Sequence, residues 1–243
     1  MRVLTIADVH ANRTAFEGVL ASAGSFDSVW HLGDIVGYGP DPAWCVDCLI
    51  DLNAAASLSG NHDLAAVGLI STDTFNPLAE LAARWNASQL TPDHRAYLTS
   101  LPAMTKVDGV TLAHGSPRDP VREYIVDPRT ATENFARFTT SVCFVGHTHI
   151  PCSADLNPDD VAASLRYFSP GSTLAIGENR WIVNPGSVGQ PRDGDPRAAF
   201  VIFDTDAATV ASHRVEYDIG AVQRRMEAAG LPTPLADRLA KGR

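Results

Sequence analysis

Five apolar runs in this chain stop at side chains that bind metals or move protons, and that recurrence limits the possible folds more than any other feature. Val3 to Ala7 runs into Asp8 and His10. Ser28 to Leu32 runs into Gly33-Asp34, and Ala54 to Leu58 leads to Gly60-Asn61-His62-Asp63. Val110 to Ala113 ends at His114, and Ser141 to Val145 ends at Gly146-His147-Thr148-His149. Short apolar runs bounded by glycine and polar residues read as buried strands. Open α/β sheets keep their sites beyond the carboxyl ends of such strands. In extended backbone, Asp8 and His10 point to one face, as do His147 and His149, which is a chelating arrangement. Asp8 and Asp34 at neighbouring strand ends repel unless cations sit between them.

Each motif alone leaves its chemistry open. A capped surface loop accounts for Asp8 and Asn12 as well as a metal does. Asn61 can offer a neutral carbonyl oxygen to a cation, while His62 can bind metal or move a proton. Asp63 has at most a supporting role, holding the loop.

Between the runs, Phe16, Val19 and Leu20 mark a helix that stops at Gly24, and a second helix spans Asp41 to Asn53. Pro77 to Gln89 reads as a helix, and Thr91-Pro92 caps another. Asp108-Gly109 predicts a hairpin between residues 103–107 and 110–113. A short helix is expected near Thr130 to Phe138, and helices again at Asp218 to Ala229 and Leu235 to Lys241. Segments around 164–169, 172–176, 181–183, 199–204 and 209–215 predict a mostly antiparallel second sheet. The Gly/Pro-rich loop from Asn184 to Arg192 packs behind the histidine strands or borders the site. His31 reads as a hydrogen-bonded core or edge histidine, His94 as solvated on a helix, and His213 as structural.

Hydrophobic residues at 45% and charged residues at 19% supply an ordinary core, and 243 residues suit a single domain over 1–243. A net charge of -9 argues against nucleic acid as the main partner. The N-terminal run reaches Asp8 too soon for a signal peptide or a membrane span, so a cytoplasmic protein is expected. Cys45 and Cys48 form a CxxC inside a helix, which favours packed thiols over a zinc or redox site; Cys143 and Cys152 stand apart.

The strand ends form an ordered set: DxH at Asp8, GD at Asp34, GNHD at Gly60, HG at His114 and GHTH at Gly146. This set resembles the calcineurin-like metallophosphoesterases over residues 2 to at least 150. The resemblance implies an α/β fold, a four-layer αββα sandwich of two mixed β-sheets flanked by helices. It implies two divalent metal ions, Mn favoured with Fe, Zn or Ni as alternatives. Asp8, His10 and His149 would hold the first, Asn61, His114 and His147 the second, and Asp34 would bridge both. His62 would be the catalytic histidine that assists the leaving group while a metal-bridging hydroxide attacks phosphorus in line.

Protein Ser/Thr phosphatases of that family carry GDxVDRG, where this chain has Gly37 and Tyr38 in place of the later Asp and Arg. With Asn12 completing a DxHxN motif, the chain looks more like the small bacterial and archaeal phosphodiesterases. The expected activity is therefore phosphodiester hydrolysis of a small phosphate ester or nucleotide. A phosphomonoesterase, protein phosphatase or dinucleoside polyphosphate hydrolase is the alternative. A non-catalytic metal-binding scaffold is disfavoured because His62 is retained. Asn12, Tyr38 and Arg118 are candidate substrate contacts, against the plainer roles of loop cap, loop packing and surface salt bridge.

Overall fold

The computed structural model describes residues 1–243. Its first sheet places β1 (Arg2–Ile6) between β2 (Ser28–His31), which is parallel to it, and β11 (Ala198–Asp204), which is antiparallel. β3 (Ala56–Ser57) extends the parallel side, while β12 (Thr209–Val215) and β9 (Thr173–Ala175) extend the antiparallel side. The second sheet runs in the order β4 (Met104–Val107), β5 (Val110–Ala113), β6 (Val142–Phe144), β10 (Arg180–Asn184), β7 (Cys152–Leu156), β8 (Ser164–Tyr167). In it β5, β6 and β10 are mutually parallel neighbours, and the remaining pairs are antiparallel.

Side-chain alternation in β1 explains the layering. Val3 and Ala7 enter the core between the two sheets, with Trp30, Leu112, Phe144, Val183 and Phe203. Leu4 and Ile6 point the other way, into a second core against α1 (Arg13–Ser22) and α2 (Pro42–Asp51). Because both faces are covered, the strand reads as a continuous apolar run. The inter-sheet core is centred on Trp30, Phe144 and Phe203, with ring centroids 5.4 to 5.9 Å apart. On the outer face of the second sheet, α6 (Pro128–Phe135) buries Ala131 and Phe135 against Cys143, Ala154 and Ile182. The result is the expected αββα sandwich of two mixed sheets.

Three further helices cover one end. α4 (Pro77–Gln89), α7 (Ile219–Ala228) and α8 (Thr233–Leu239) enclose a separate core that includes Tyr38. α5 (Pro92–Ser100) begins at Thr91, whose side chain accepts from His94 N. The GNHD stretch is not a loop, because Asn61 opens a short helix, α3 (Asn61–Ala66), with Gly60 as its N-cap.

Several expectations are corrected. The C-terminal segments do not form one second sheet: β9, β11 and β12 join the sheet of β1, whereas β10 pairs with β6 and β8 follows through β7. Alternation along a strand reports its faces but not which sheet edge it joins. His94 is buried rather than solvated, and its Nε2 lies 2.8 Å from Asp47 Oδ1. His31 is fully buried, yet neither ring nitrogen makes a well-formed hydrogen bond. Burial pushes it down to about 3, so it remains neutral. The four cysteines are free thiols, and burial raises all of them. No helix is long and apolar enough to cross a membrane.

The Asp108-Gly109 hairpin adopts the expected left-handed turn, with φ of 49° and 78°. The β11–β12 turn instead places Ala208 at φ 50°, where a Cβ is disfavoured. Ala208→Gly should therefore stabilise the protein by about 0.5–1 kcal/mol, the relief of left-handed strain less the added chain entropy. A higher urea midpoint at unchanged slope is the expected readout; a lower midpoint would show the turn to be unstrained.

Candidate metal centre

All five strand ends open at the same edge of the sandwich, because β1, β2 and β3 are parallel in one sheet and β5 and β6 are parallel in the other. The chain does not leave these strands in extended form. Asp8, His10, Ala11, Asp34, Tyr38, His147 and His149 all have positive φ, seven of the ten non-glycine residues that do. Such conformations cost ~1–3 kcal/mol each and collect at functional sites. Asp8 with His10, and His147 with His149, are therefore not extended same-face pairs; left-handed turns aim them. Backbone bonds lock those turns together: Asp8 N donates to Gly33 O at 3.0 Å, His10 N to Asp34 O at 3.0 Å and Gly146 N to His114 O at 2.8 Å. His147 N donates across the sandwich to Asp8 Oδ2 at 3.0 Å.

The turns gather two adjacent buried clusters. Asp8, His10, Asp34 and His149 form one, and Asp34, His114 and His147 the other, with donor atoms within 4.8 Å of one another in each. Asn61 Oδ1 joins the second cluster, 3.3 Å from His114 Nε2. His147 and His149 thus part company, one to each cluster. Asp34 is common to both: its Oδ2 lies 3.6 Å from His10 Nε2 and 3.5 Å from His114 Nε2.

The outward bonds of the four histidines decide what their inward nitrogens are. His10 Nδ1 faces Val36 O at 3.0 Å, His149 Nδ1 faces Gln190 O at 2.6 Å, His114 Nδ1 faces Leu32 O at 2.8 Å and His147 Nε2 faces Arg122 O at 3.2 Å. A carbonyl only accepts, so each of those nitrogens carries the proton and the opposite nitrogen carries a lone pair. Yet His10 Nε2 is 3.1 Å from His149 Nε2, and His114 Nε2 is 3.2 Å from His147 Nδ1. Lone pairs face lone pairs, and Asp34 Oδ2 is buried beside them with no hydrogen-bond partner. An array of acceptors without donors is the chemistry of a cation site, and carbonyl-anchored imidazoles are the usual support for one. The residues present therefore fit a pair of divalent cations.

The electrostatics agree. Burial holds His10 and His149 well below the ordinary imidazole range, His114 at about 4 and His147 at about 3, so all four are neutral at pH 7. Burial and the neighbouring Asp34 raise Asp8, and burial pushes Asp34 up to about 7. Asp63 supports Asp34 rather than facing the clusters. Its carboxylate accepts from Asp34 N at 2.7 Å, Gly60 N at 2.9 Å and Val36 N at 3.0 Å. Gly60 permits the approach, since a Cβ there would lie 2.0 Å from Asp34 Oδ1.

His62 stands beside the clusters and in neither of them. Its ring lies 4.9 Å from His10, 4.5 Å from Tyr38 and 4.7 Å from Phe75, centroid to centroid. Its Nδ1 has no hydrogen-bond partner. Gly37 packs directly on that atom: a Cβ at Gly37 would come within 2.6 Å of it, at a backbone φ of +100°. Asn86 of α4 fixes this segment by accepting from Gly37 N at 2.9 Å and donating to Gly39 O at 3.1 Å. A cavity of about 270 Å³ opens over His62, Asn61 and His147, walled by Tyr38, Phe75 and Tyr124.

Of the candidate substrate contacts, Tyr38 lines this cavity. Asn12 is engaged elsewhere: its Oδ1 caps α1 through Ala15 N and its Nδ2 donates to Gly189 O. Arg118 is likewise taken up, by Glu123 and Glu133, so the salt-bridge alternative holds for it. Sequence reasoning missed Arg122 and Tyr124, which line the cavity, and Arg192, which approaches Tyr38 Oη at 3.4 Å. None of them lies in a periodic segment or beside a ligand motif.

Residues 1–208 match the calcineurin-like phosphoesterase superfamily domain, and the chain belongs to that superfamily. A metallophosphoesterase from Sphaerobacter thermophilus shares 48% identity, with 100% of this chain and 99% of that one covered and a TM-score of 0.90. An uncharacterized protein of Methanocaldococcus jannaschii is 34% identical over 249 residues, 99% of this chain and 98% of its own. A hypothetical protein from Pyrococcus horikoshii, 19% identical with full coverage of this chain and 98% of its own, has the same fold at a TM-score of 0.77.

Two outcomes follow for the metal-free protein. Because Asp34 is pushed up to about 7, it is largely protonated below that pH, and cation uptake there must displace the proton. Affinity should fall as pH drops through 7. Calorimetric titration with Mn²⁺ in buffers of different ionisation heat should register more protons released at about pH 6 than at about pH 8; equal release would contradict the raised Asp34. Asp63→Asn, which cannot accept all three N–H groups, should weaken cation binding about 10–100-fold while the chain stays folded; unchanged affinity would remove Asp63 from the support of the site.

Proposed function

We propose that this protein is a dinuclear metal-dependent phosphodiesterase. The observation that carries the reading is the array of inward lone pairs around the orphaned Asp34 Oδ2, with His62 adjacent and an open cavity above. Asp8, His10, Asp34 and His149 would hold one cation, and Asp34, Asn61, His114 and His147 the other. Mn²⁺ is the favoured ion, with Fe, Zn²⁺ and Ni²⁺ as alternatives, since imidazole, carboxylate and amide donors can hold each of them. When bound, such a pair supplies a nucleophile at neutral pH and compensates for charge on the phosphoryl oxygens.

The protein's own residues do the rest. The cavity extends past His62 towards Phe75 and Asn76 on one side, and past His147 towards Arg122 and Tyr124 on the other. A phosphorus atom over Asn61 thus has room for an organic substituent in both directions, which favours a diester over a monoester. His62 presents its imidazole to the departing oxygen. Burial, then the charge of Arg192, lowers its pKa, so the ring enters neutral and assists through its N–H. The anionic substrate shifts that balance back towards the protonated ring. Tyr38 and Phe75 hold the ring from its sides and exclude water from it.

Turnover of bis(p-nitrophenyl) phosphate against p-nitrophenyl phosphate, with metal content measured on the same sample, tests the reading. The diester should show the higher kcat/KM; a preference for the monoester would overturn the diesterase assignment. His62→Ala should lower kcat by about 10²–10⁴-fold with both cations retained. Wild-type turnover in that variant would remove His62 from the chemistry.

A further inference from the structure

We propose that Arg192 grips the non-bridging oxygens of the substrate phosphate from the side of Tyr38. The inference rests on the phosphoesterase reading of the same site and names a residue that reading leaves unused.

The backbone carrying Arg192 is part of the centre's frame. In the segment 184–192, Ser187 Oγ donates to Asp8 O at 2.8 Å and Gly189 N to the same oxygen at 3.0 Å. Gln190 O receives His149 Nδ1 at 2.6 Å, and Arg192 N donates to His149 O at 3.2 Å. Arg192 is therefore fixed to the two strand ends that supply Asp8 and His149.

Its guanidinium lacks the partner that such a group ordinarily has. One terminal nitrogen donates to Gln190 Oε1 at 2.9 Å and approaches Tyr38 Oη at 3.4 Å, both neutral acceptors. Nε is buried with no partner. Arg214, Arg225 and Arg118 are neutralised by Asp193, Asp41 and the pair Glu123 and Glu133, while Arg95 and Arg180 spend their N–H groups on backbone carbonyls. A buried charged donor left unmade is costly. An anion from outside completes Arg192.

Position identifies that anion. The guanidinium lies 5.7 Å from the Tyr38 ring centroid, and that ring is 4.5 Å from His62 and 4.8 Å from His10. Tyr38 thus forms a platform between Arg192 and the reacting centre. A second guanidinium, Arg238, lies 5.9 Å from the same ring centroid, and the two cations oppose each other's charge. An oxyanion seated at the platform relieves that repulsion. The guanidinium fork matches the paired oxygens of a phosphoryl group. It reaches both tyrosine hydroxyls that border the cavity, Tyr38 at 3.4 Å and Tyr124.

The test uses metal-loaded protein and inorganic phosphate as the probe, followed by diester kinetics. Arg192→Ala and Arg192→Gln should weaken phosphate binding and lower kcat/KM about 10-fold or more, with metal content and Tm unchanged. Added guanidinium ion should restore part of the loss in Arg192→Ala, an effect that a merely structural role would not show. Wild-type phosphate affinity in Arg192→Ala overturns the proposal. So does loss of affinity that tracks loss of metal or of Tm and is not rescued by guanidinium. If wild-type protein binds phosphate but cleaves no ester, the functional reading fails while the binding series still decides Arg192.

Discussion

The structure depends on keeping Asp34 in place, deep in the sandwich and between two clusters of imidazole lone pairs. A carboxylate there has nothing to donate to it on one oxygen, and its environment disfavours its charge. Everything around it reads as support for that arrangement. Asp63, at the start of α3, pins Asp34 N; His62 N donates to Asp34 Oδ1 at 2.9 Å; Gly60 stays out of the way. The same helix start therefore positions the shared carboxylate, contributes Asn61 to one cluster and points His62 at the cavity. Three consecutive residues do three separate jobs because they occupy the first turn of one helix.

The second organising constraint is conformational. Strand ends in two different sheets have to converge on one volume a few ångströms wide, and extended backbone cannot turn sharply enough to do it. Left-handed turns at Asp8, His10, Asp34, His147 and His149 provide the change of direction. Asp and His tolerate that region better than branched residues do. The packing of Trp30, Phe144 and Phe203 between the sheets, together with the backbone bonds that cross the site, offsets the strain.

Much of this was legible in the sequence. Apolar runs ending in Asp, Asn or His carry a periodic signal, so the strands, their carboxyl ends and the residues at them could be located, and the hairpin at Asp108-Gly109 could be placed. The division of His147 and His149 between clusters came from the family resemblance, because two residues of spacing in extended form would have kept them together. Arg192 was illegible for a physical reason. It lies in a Gly/Pro-rich loop without period, and its position is set by Ser187 bonding Asp8, 179 residues away in sequence. Asn12 and Arg118 looked available because a sequence shows a polar side chain but not the neighbour that already occupies it. The sheet membership of β8 to β12 was hidden likewise, since it depends on which edges remain open once β1 and β6 are placed.

The bond from His147 N to Asp8 joins one sheet to the other at their common edge. Both clusters, too, draw side chains from both sheets: Asp8, His10 and Asp34 from the first, His114, His147 and His149 from the second. A cation pair held there would act as a rivet through the sandwich as well as a reagent. The spacing between the two ions would then be set by how the sheets lie against each other, so a substitution deep in the Trp30–Phe144 interface could retune the chemistry without touching a single donor atom.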